Sequence, residues 1–227
     1  ARTLLGVPQD AFVVGMVAAN KGNAPPRKAF PQVFEAFARF QQQHPEAVLY
    51  LHSVKSPGPN GLDLANLAAH FKIADGSVFF TPEFELHMGV DLERMPVVYS
   101  AMDVLAAPSY GEGFGIPIIE AQACGVPVAV GNWTAMPELV GDGYLIEGTR
   151  WYDASQGAFF KHAFVESIVD AFEQAYQRRG GGSEKIVPIC ACAGGATAIN
   201  GAAIRAARPI RLRLRDIRGF NRRIRLA

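Results

Sequence analysis

Short apolar runs recur along the first two thirds of the chain, separated by polar or glycine-containing loops. Five of these runs are rich in β-branched and aromatic residues and are too short for a buried helix. They are Phe12–Val17, Val48–His52, Ser77–Phe80, Val104–Ala107 and Val126–Val130. Such runs are typical of strands that are buried on both faces of a sheet. Leu145 and Ile146 indicate a last, short strand.

The stretches between these runs have the spacing of amphipathic helices. In the first stretch, apolar residues recur three or four positions apart, with Glu35 and Arg39 on the other side. These apolar residues are Phe30, Val33, Phe34, Phe37 and Phe40. Further helices are predicted at Leu62–Phe71, Pro96–Met102, Gly115–Cys124 and Phe164–Tyr176. The alternation predicts an α/β fold with a Rossmann-like parallel sheet, helices on both faces, and ligands beyond the carboxyl ends of the strands.

The net charge of +1 is the average of two unlike segments. Residues 1–177 carry 10 Lys and Arg against 19 Asp and Glu, a net charge of −9. Residues 178–227 carry 12 against 2, a net charge of +10, and are rich in Gly, Ala and Arg after a Gly-Gly-Gly-Ser run at 180–183. We therefore predict an ordered domain over 1–177 and an irregular basic tail over 178–227 that is disordered or non-native.

The tail is open to two other interpretations. Residues 186–204 carry no charge, but their Ala, Gly, Cys, Pro188 and Asn200 would insert weakly into a membrane. The Arg-rich segment that follows is compatible with an arm for an anionic polymer or a membrane surface. Association with a membrane surface thus stays open, and specific binding of nucleic acid is not predicted.

Composition narrows the class of protein. With 49% hydrophobic and 19% charged residues, the chain is typical of a soluble globular protein whose core needs no disulfide or metal. Its three Cys cannot form a disulfide framework, which fits the reducing cytoplasm. The opening residues lack a signal sequence and are expected to be a fragment leading into a strand, so we expect a truncated protein. The five His have no metal-ligand spacing, and no metal site is predicted.

The most informative stretch runs from Ser100 to Val130. A predicted strand ends at Ala107, a glycine-rich loop follows, and a helix begins near Gly115 with Pro117 in its first turn. Open amide groups at such a helix start form an anion site suited to phosphate. Glu112 and Glu120 flank it, and because phosphate would repel them, their carboxylates are better suited to sugar hydroxyls.

The segment GEGFGIPIIE, residues 111–120, resembles the E-x7-E motif of the retaining group 1, or family four, glycosyltransferases. The flanking segments SAMDVLAAPS, EAQACGVPVAV and MPELVGDGYLIEG resemble the same family. This resemblance covers Phe12 to Glu173 and implies the C-terminal, nucleotide-sugar-binding half of a GT-B fold, which consists of two facing Rossmann-like domains. The N-terminal, acceptor-binding half is then expected to be missing from this chain.

The resemblance also implies roles for the motif residues. Glu112, expected to be catalytic, would contact hydroxyls of the transferred sugar, and Glu120 would hold the ribose hydroxyls of the nucleotide. Backbone amides of four further donor-binding residues would face the distal phosphate and the sugar. These residues are Gly113, Phe114, Gly115 and Ile116.

The family also places two cations against the diphosphate, after its first strand. In the loop ANKGNAPPRKAF, Lys28 matches the lysine of this pair, and either Arg27 or Lys21 supplies the other charge. The Gly-Arg pair usual in the family is missing, because Gly15 is followed by Met16. Two cations at a helix start would neutralise the charge of the leaving diphosphate.

The implied function is the donor-binding domain of an enzyme that transfers a hexose from a nucleotide diphosphate sugar, UDP- or GDP-linked, with retention of configuration. The sugar nucleotide is the donor substrate, and no cofactor is expected. The isolated domain is expected to be inactive, since the acceptor site would lie on the missing half. The alternative is a non-catalytic nucleotide or sugar-binding module of the same fold.

Overall fold

The computed structural model describes residues 1–22, 27–56, 58–90, 93–154 and 156–180. Within them, six parallel strands form one sheet in the order β3-β2-β1-β4-β5-β6. The strands are β1 (Phe12–Val17), β2 (Ala47–His52), β3 (Val78–Phe80), β4 (Val104–Ala107), β5 (Val128–Gly131) and β6 (Gly143–Ile146). The predicted parallel sheet is thereby confirmed, and β1 and β4 have the predicted bounds.

Among the described residues, α-helices form in the five stretches that the apolar spacing predicts and in two further places. They are α1 (Arg2–Leu5), α2 (Phe30–Gln41), α3 (Leu64–His70), α4 (Glu83–Met88), α5 (Met95–Ser100), α6 (Ile116–Ala123) and α7 (Val165–Gly180). The apolar stripe of α2 is buried, with Phe34 and Phe37 fully inaccessible to solvent. Helix α3 begins after Asp63, whose carboxylate accepts hydrogen bonds from the amides of Ala65 and Asn66.

The strand order places helices on both faces of the sheet. The chain moves outward from β1 to β2 and β3, and then returns to β4 and continues to β5 and β6. Right-handed crossovers that run in opposite directions along a sheet put their helices on opposite faces. Helices α2 and α3 therefore cover one face and α5 and α6 the other, and α7 packs against α2.

Two elements differ from the sequence prediction near the start of the chain and after β3. The opening residues, expected to lead directly into a strand, contain the one-turn helix α1, and Arg2 pairs with Asp103 at 2.6 Å. Asp103 also accepts a hydrogen bond from the backbone amide of Val13, at 2.7 Å. After β3, the residues Glu83–Met88, for which the sequence analysis predicted no helix, form the short helix α4.

A second, two-stranded sheet was not predicted. It is the antiparallel hairpin of β7 (Gly148–Asp153) and β8 (Ala158–Ala163), inserted between β6 and α7. Its strands contain Thr, Arg, Lys and His among the aromatic residues, so they lack the continuous apolar run that marked the strands of the main sheet.

Helix α7 continues to Gly180, three residues past the boundary predicted at 177. Arg178 pairs with Asp142 at 2.5 Å, and Arg179 lies 3.4 Å from Asp103. These ion pairs join the end of α7 to the loop before β6 and to the loop before β4. The rest of the predicted tail, from residue 181, lies outside the described residues, as do the interpretations of residues 186–204 and of the Arg-rich segment.

Candidate functional site

A cavity lies at the carboxyl ends of β1 and β4, the two neighbouring strands from which the chain proceeds in opposite directions. The cavity is lined by Met16, Val17, Ala18, Lys28, Ala106, Ala107, Ser109, Glu112, Gly115, Pro117 and Ile118. In open α/β sheets, ligands bind in the crevice at such a switch point of the strand order. The fold therefore places the glycine-rich loop where this architecture binds ligands.

Glu112 lies at this cavity between two cations. Its Oε1 is 2.5 Å from Nζ of Lys28, and its Oε2 is 3.0 Å from Nη1 of Arg27. The same Arg27 nitrogen donates a hydrogen bond to the carbonyl oxygen of Gly111, at 2.5 Å. The Glu112 side chain is 14% exposed, against 21% for Lys28 and 41% for Arg27. Lys28 thus lines the cavity, Arg27 lies beside it, and both positive charges are paired with the carboxylate of Glu112.

The surroundings of Glu112 favour its charged form. Burial of the carboxyl group opposes ionisation, but hydrogen bonds from Lys28 and Ser109, the charge of Lys28 and the hydrogen bond from Arg27 outweigh it. The pKa of Glu112 accordingly lies below its ordinary value. Glu112 is therefore a carboxylate acceptor, and not a proton donor, near neutral pH.

Helix α6 begins at this cavity in the way the glycine spacing predicts. Gly115 precedes its first residue with a φ of 100°, a left-handed conformation that favours glycine. A Cβ at this position would lie 2.8 Å from Cδ1 of Ile118. No side chain of the described residues caps the helix. Pro117 has no N–H group, and the amide of Ile118 donates to the carbonyl oxygen of Gly115 at 3.0 Å, so the first turn offers an anion the amide of Ile116.

Glu120 is positioned by a different contact. It lies on α6, one turn after Gly115, and its Oε2 accepts a hydrogen bond of 2.6 Å from the hydroxyl of Tyr99. Tyr99 is buried on α5, and burial together with the Glu120 carboxylate raises the pKa of this hydroxyl. Among the described residues that line the cavity, Glu120 does not appear. The two glutamates of the motif therefore have different surroundings, because Glu112 contacts two cations and Glu120 contacts the Tyr99 hydroxyl.

The other predicted donor-binding residues fall into two groups. Gly113, Phe114 and Ile116 lie on the exposed start of the motif, with Phe114 at 54% and Ile116 at 60% exposure. Lys21 is exposed in the loop after β1, and it lies outside the cluster that Arg27 and Lys28 form with Glu112. Of the two cations proposed to accompany Lys28, the structure therefore brings Arg27 into contact with Glu112.

Several residues that support the glycine-rich loop were not predicted from the sequence. The indole nitrogen of Trp133, after β5, donates to the carbonyl oxygens of Ser109 and Tyr110 at 3.0 and 3.1 Å. The hydroxyl oxygen of Thr134 accepts from the backbone amide of Glu112 at 3.2 Å. Tyr110 itself contacts the β7–β8 hairpin. Trp133, Thr134 and the hairpin lie outside the motif along the chain, and no local spacing in the sequence indicated these contacts.

The part of the chain that the structure describes contains neither a metal-binding cluster nor a membrane-spanning helix. No three His, Cys, Asp or Glu side chains in this part of the chain come together to hold a metal ion. In the same part, no helix has both the length and the apolar character needed to cross a membrane.

Comparison with known proteins agrees with the geometry. The model of the family described as glycosyl transferases group 1 matches residues 12–177. A D-inositol 3-phosphate glycosyltransferase of Stackebrandtia nassauensis is 38% identical over 166 residues, which cover 68% of this chain and 35% of the relative. One of the same name from Geodermatophilus obscurus is 32% identical over 217 residues, covering 83% of this chain and 46% of the relative. The chain spans between about a third and a half of the length of these relatives.

Solved structures share the fold at lower sequence identity. Sucrose-phosphate synthase of Thermosynechococcus elongatus has a TM-score of 0.57 at 22% identity, covering 79% of this chain and 39% of that one. Anabaena HepE, in complex with UDP-glucose, has a TM-score of 0.57 at 20% identity, covering 79% and 42%. These matches show the Rossmann-like fold of a GT-B glycosyltransferase domain.

Proposed function

The chain belongs to the group 1 glycosyltransferases, and we propose that it is the donor-binding domain of a retaining hexosyltransferase, which takes a hexose from a nucleotide diphosphate sugar. The observation that carries this proposal is the cavity at the β1–β4 switch point, where Lys28 and Arg27 meet Glu112 beside the start of α6. A cavity of this kind offers cations and backbone amides to a diphosphate and a carboxylate to sugar hydroxyls.

In this proposal the cations act on the leaving group. When the bond between the sugar and the distal phosphate breaks, negative charge accumulates on the nucleoside diphosphate. Lys28, held at the cavity, and Arg27, which can leave its Glu112 contact, would stabilise that charge together with the amide of Ile116 at the start of α6. Lys28 and Arg27 carry their positive charges before the reaction begins, so the protein needs no large rearrangement when the bond between sugar and phosphate breaks.

The two glutamates hold different parts of the donor. Glu112, ionised and directed at the cavity, accepts hydrogen bonds from hydroxyls of the transferred sugar and orients its anomeric carbon. Glu120 has one carboxylate oxygen bonded to Tyr99 and presents its remaining acceptor capacity to the ribose hydroxyls. The backbone of Gly113, Phe114, Gly115 and Ile116 completes the contact with the distal phosphate and the sugar.

The donor class and the partner follow from the same reasoning. We propose a UDP- or GDP-linked hexose, since one structural neighbour was solved with UDP-glucose. The acceptor would bind an N-terminal half that pairs with this domain, because the chain spans less than half of the relatives it matches. In the absence of such a half, we expect the domain to bind the donor but to transfer little sugar. We also propose that the protein acts in the cytoplasm.

The test is calorimetric titration of the chain with UDP, GDP and ADP and with their glucose and mannose conjugates, with and without added divalent metal. We expect saturable binding of one nucleoside diphosphate, with a further gain for one sugar conjugate. A folded sample that binds none of these compounds would contradict the assignment of the cavity.

A further inference from the structure

The β7–β8 hairpin has two faces that meet different surroundings. On one face, Trp151 contacts both Phe160 and His162, with ring centroids 6.0 and 4.9 Å apart. On the other, Tyr152 and Phe159 contact each other, and each is 54% exposed. We call the first group the inner face and the second the outer face.

The inner face packs on the glycine-rich loop through Tyr110. The Tyr110 and His162 rings stack, with centroids 4.4 Å apart and an interplanar angle of 29°, and Trp151 meets Tyr110 edge-on at 6.5 Å. The backbone amide of Lys161 donates to the carbonyl oxygen of Tyr110 at 3.1 Å. Phe160 covers Gly111 so closely that a Cβ there would lie 2.3 Å from its ring. The loop is therefore built to fit this hairpin.

Tyr110 in turn is bonded to the residues around the cavity. Its backbone amide donates to the carbonyl oxygen of Arg27 at 2.8 Å, and its hydroxyl lies 2.8 Å from Nε2 of Gln32 on α2. The next residue, Gly111, accepts from the Arg27 guanidinium, and Glu112 follows. A displacement of Tyr110 would thus move both members of the Arg27–Glu112 pair.

We propose that the inner face of the hairpin sets the position of Glu112 and Arg27, with His162 as a positioning residue that acts through Tyr110. The inference deepens the proposed function, because the two residues it positions are those proposed to bind the donor. It assigns a role to a hairpin that lies outside the main sheet and supplies no side chain to the cavity lining among the described residues.

The contact between His162 and Tyr110 is one of packing, which allows a sharp test. The Nε2 atom of His162 is buried and has no hydrogen-bond partner among the described residues. A phenylalanine ring at this position can therefore stack on Tyr110 without losing a hydrogen bond at that atom. His162→Phe should keep the position of the loop, whereas His162→Ala should release it.

The experiment compares His162→Ala and His162→Phe in the full chain, with the outer-face variant Tyr152→Ala as the matched control. The first readout needs no nucleotide: the acid titration of the Glu112 carboxyl carbon, followed by NMR in each variant. For His162→Ala we expect the midpoint to move up toward the ordinary value of Glu, since the Lys28 and Arg27 contacts loosen. For His162→Phe and Tyr152→Ala we expect the midpoint of the unsubstituted chain.

The second readout is calorimetric titration with the nucleoside diphosphate that binds best. We expect His162→Ala to weaken binding about tenfold, because the displaced Arg27 no longer reaches the diphosphate, a loss like that of one hydrogen bond to a charged group. We expect the other two variants to bind normally. If His162→Ala does not fold, His162→Leu, which fills the space without a ring to stack, takes its place.

The outcomes separate the two proposals. An unchanged Glu112 titration in the folded His162 variant, or an equal change in Tyr152→Ala, would overturn the positioning role. If the unsubstituted chain binds no nucleotide, the proposed function fails, while the titration still decides whether the hairpin positions Glu112.

Discussion

Replacing Glu112 by glutamine should tighten the binding of free diphosphate. Glu112 holds Lys28 at 2.5 Å and Arg27 at 3.0 Å, so an incoming diphosphate must compete with this carboxylate for both cations. It must also accept the repulsion between its own charge and that of Glu112. Glutamine has the same shape and removes the charge, so the cations become available without an empty space where the side chain was.

The size of the effect follows from the exposure of each pair. Glu112 and Lys28 are mostly buried, and a hydrogen bond between charged groups of this kind contributes about 1.5–3 kcal/mol. Arg27 is 41% exposed, so its pair is screened by solvent and adds roughly 0.5 kcal/mol or less. Glutamine still offers Lys28 a neutral acceptor, which retains part of the interaction. We therefore expect a net gain of about 1.4 kcal/mol, a tenfold lower Kd.

The assay is calorimetric titration with inorganic diphosphate, which lacks ribose and sugar, at low ionic strength near pH 7. Glu120→Gln is the matched control, since it makes the same change of charge on α6 but its partner is the Tyr99 hydroxyl and not a cation. We expect Glu120→Gln to bind inorganic diphosphate about as the unsubstituted chain does. Equal or weaker binding by Glu112→Gln, or an equal gain in Glu120→Gln, would refute the reasoning.

Three further predictions concern the same domain. Glu120→Gln should weaken binding of the nucleoside diphosphate severalfold while leaving inorganic diphosphate unchanged, because it loses an ionised acceptor for ribose; calorimetry showing both ligands weakened alike would contradict this role. Gly115→Ala should lower the free energy of unfolding in urea by about 1–3 kcal/mol, because the φ of 100° is strained for alanine; an unchanged unfolding midpoint would count against it. Because the folded-state pKa of Glu112 is lowered, its ion pairs stabilise the fold above the ordinary value of 4.5 and are lost as the pH falls through the lowered pKa. The stability difference between the unsubstituted chain and Glu112→Gln should therefore shrink between pH 7 and pH 3, and a constant difference across that range would argue against the ion pairs.

The order of the main elements was predictable because burial on both faces leaves a local mark. A strand such as β1 is a continuous apolar run, and an amphipathic helix such as α2 repeats its apolar residues every three or four positions. The start of α6 was predictable for the same kind of reason, since Gly115 and Pro117 satisfy backbone requirements within a few residues. By contrast, β7 and β8 are half-exposed and mix charged with aromatic residues, so their pairing left no comparable local pattern.

The arrangement of the site was decided by the tertiary structure. Lys28 and Glu112 are 84 residues apart, and they meet because β4 pairs directly with β1, so that the loops after both strands open onto one crevice. The choice of Arg27 over Lys21 as the cation beside Glu112 depends on side-chain positions that composition and spacing do not specify. Likewise, the contact of Tyr110 with His162 depends on how the hairpin folds back onto the loop after β4. Local sequence dictates backbone conformation through short-range sterics and burial, whereas an ion pair between distant residues exists only once the strand order has brought them together.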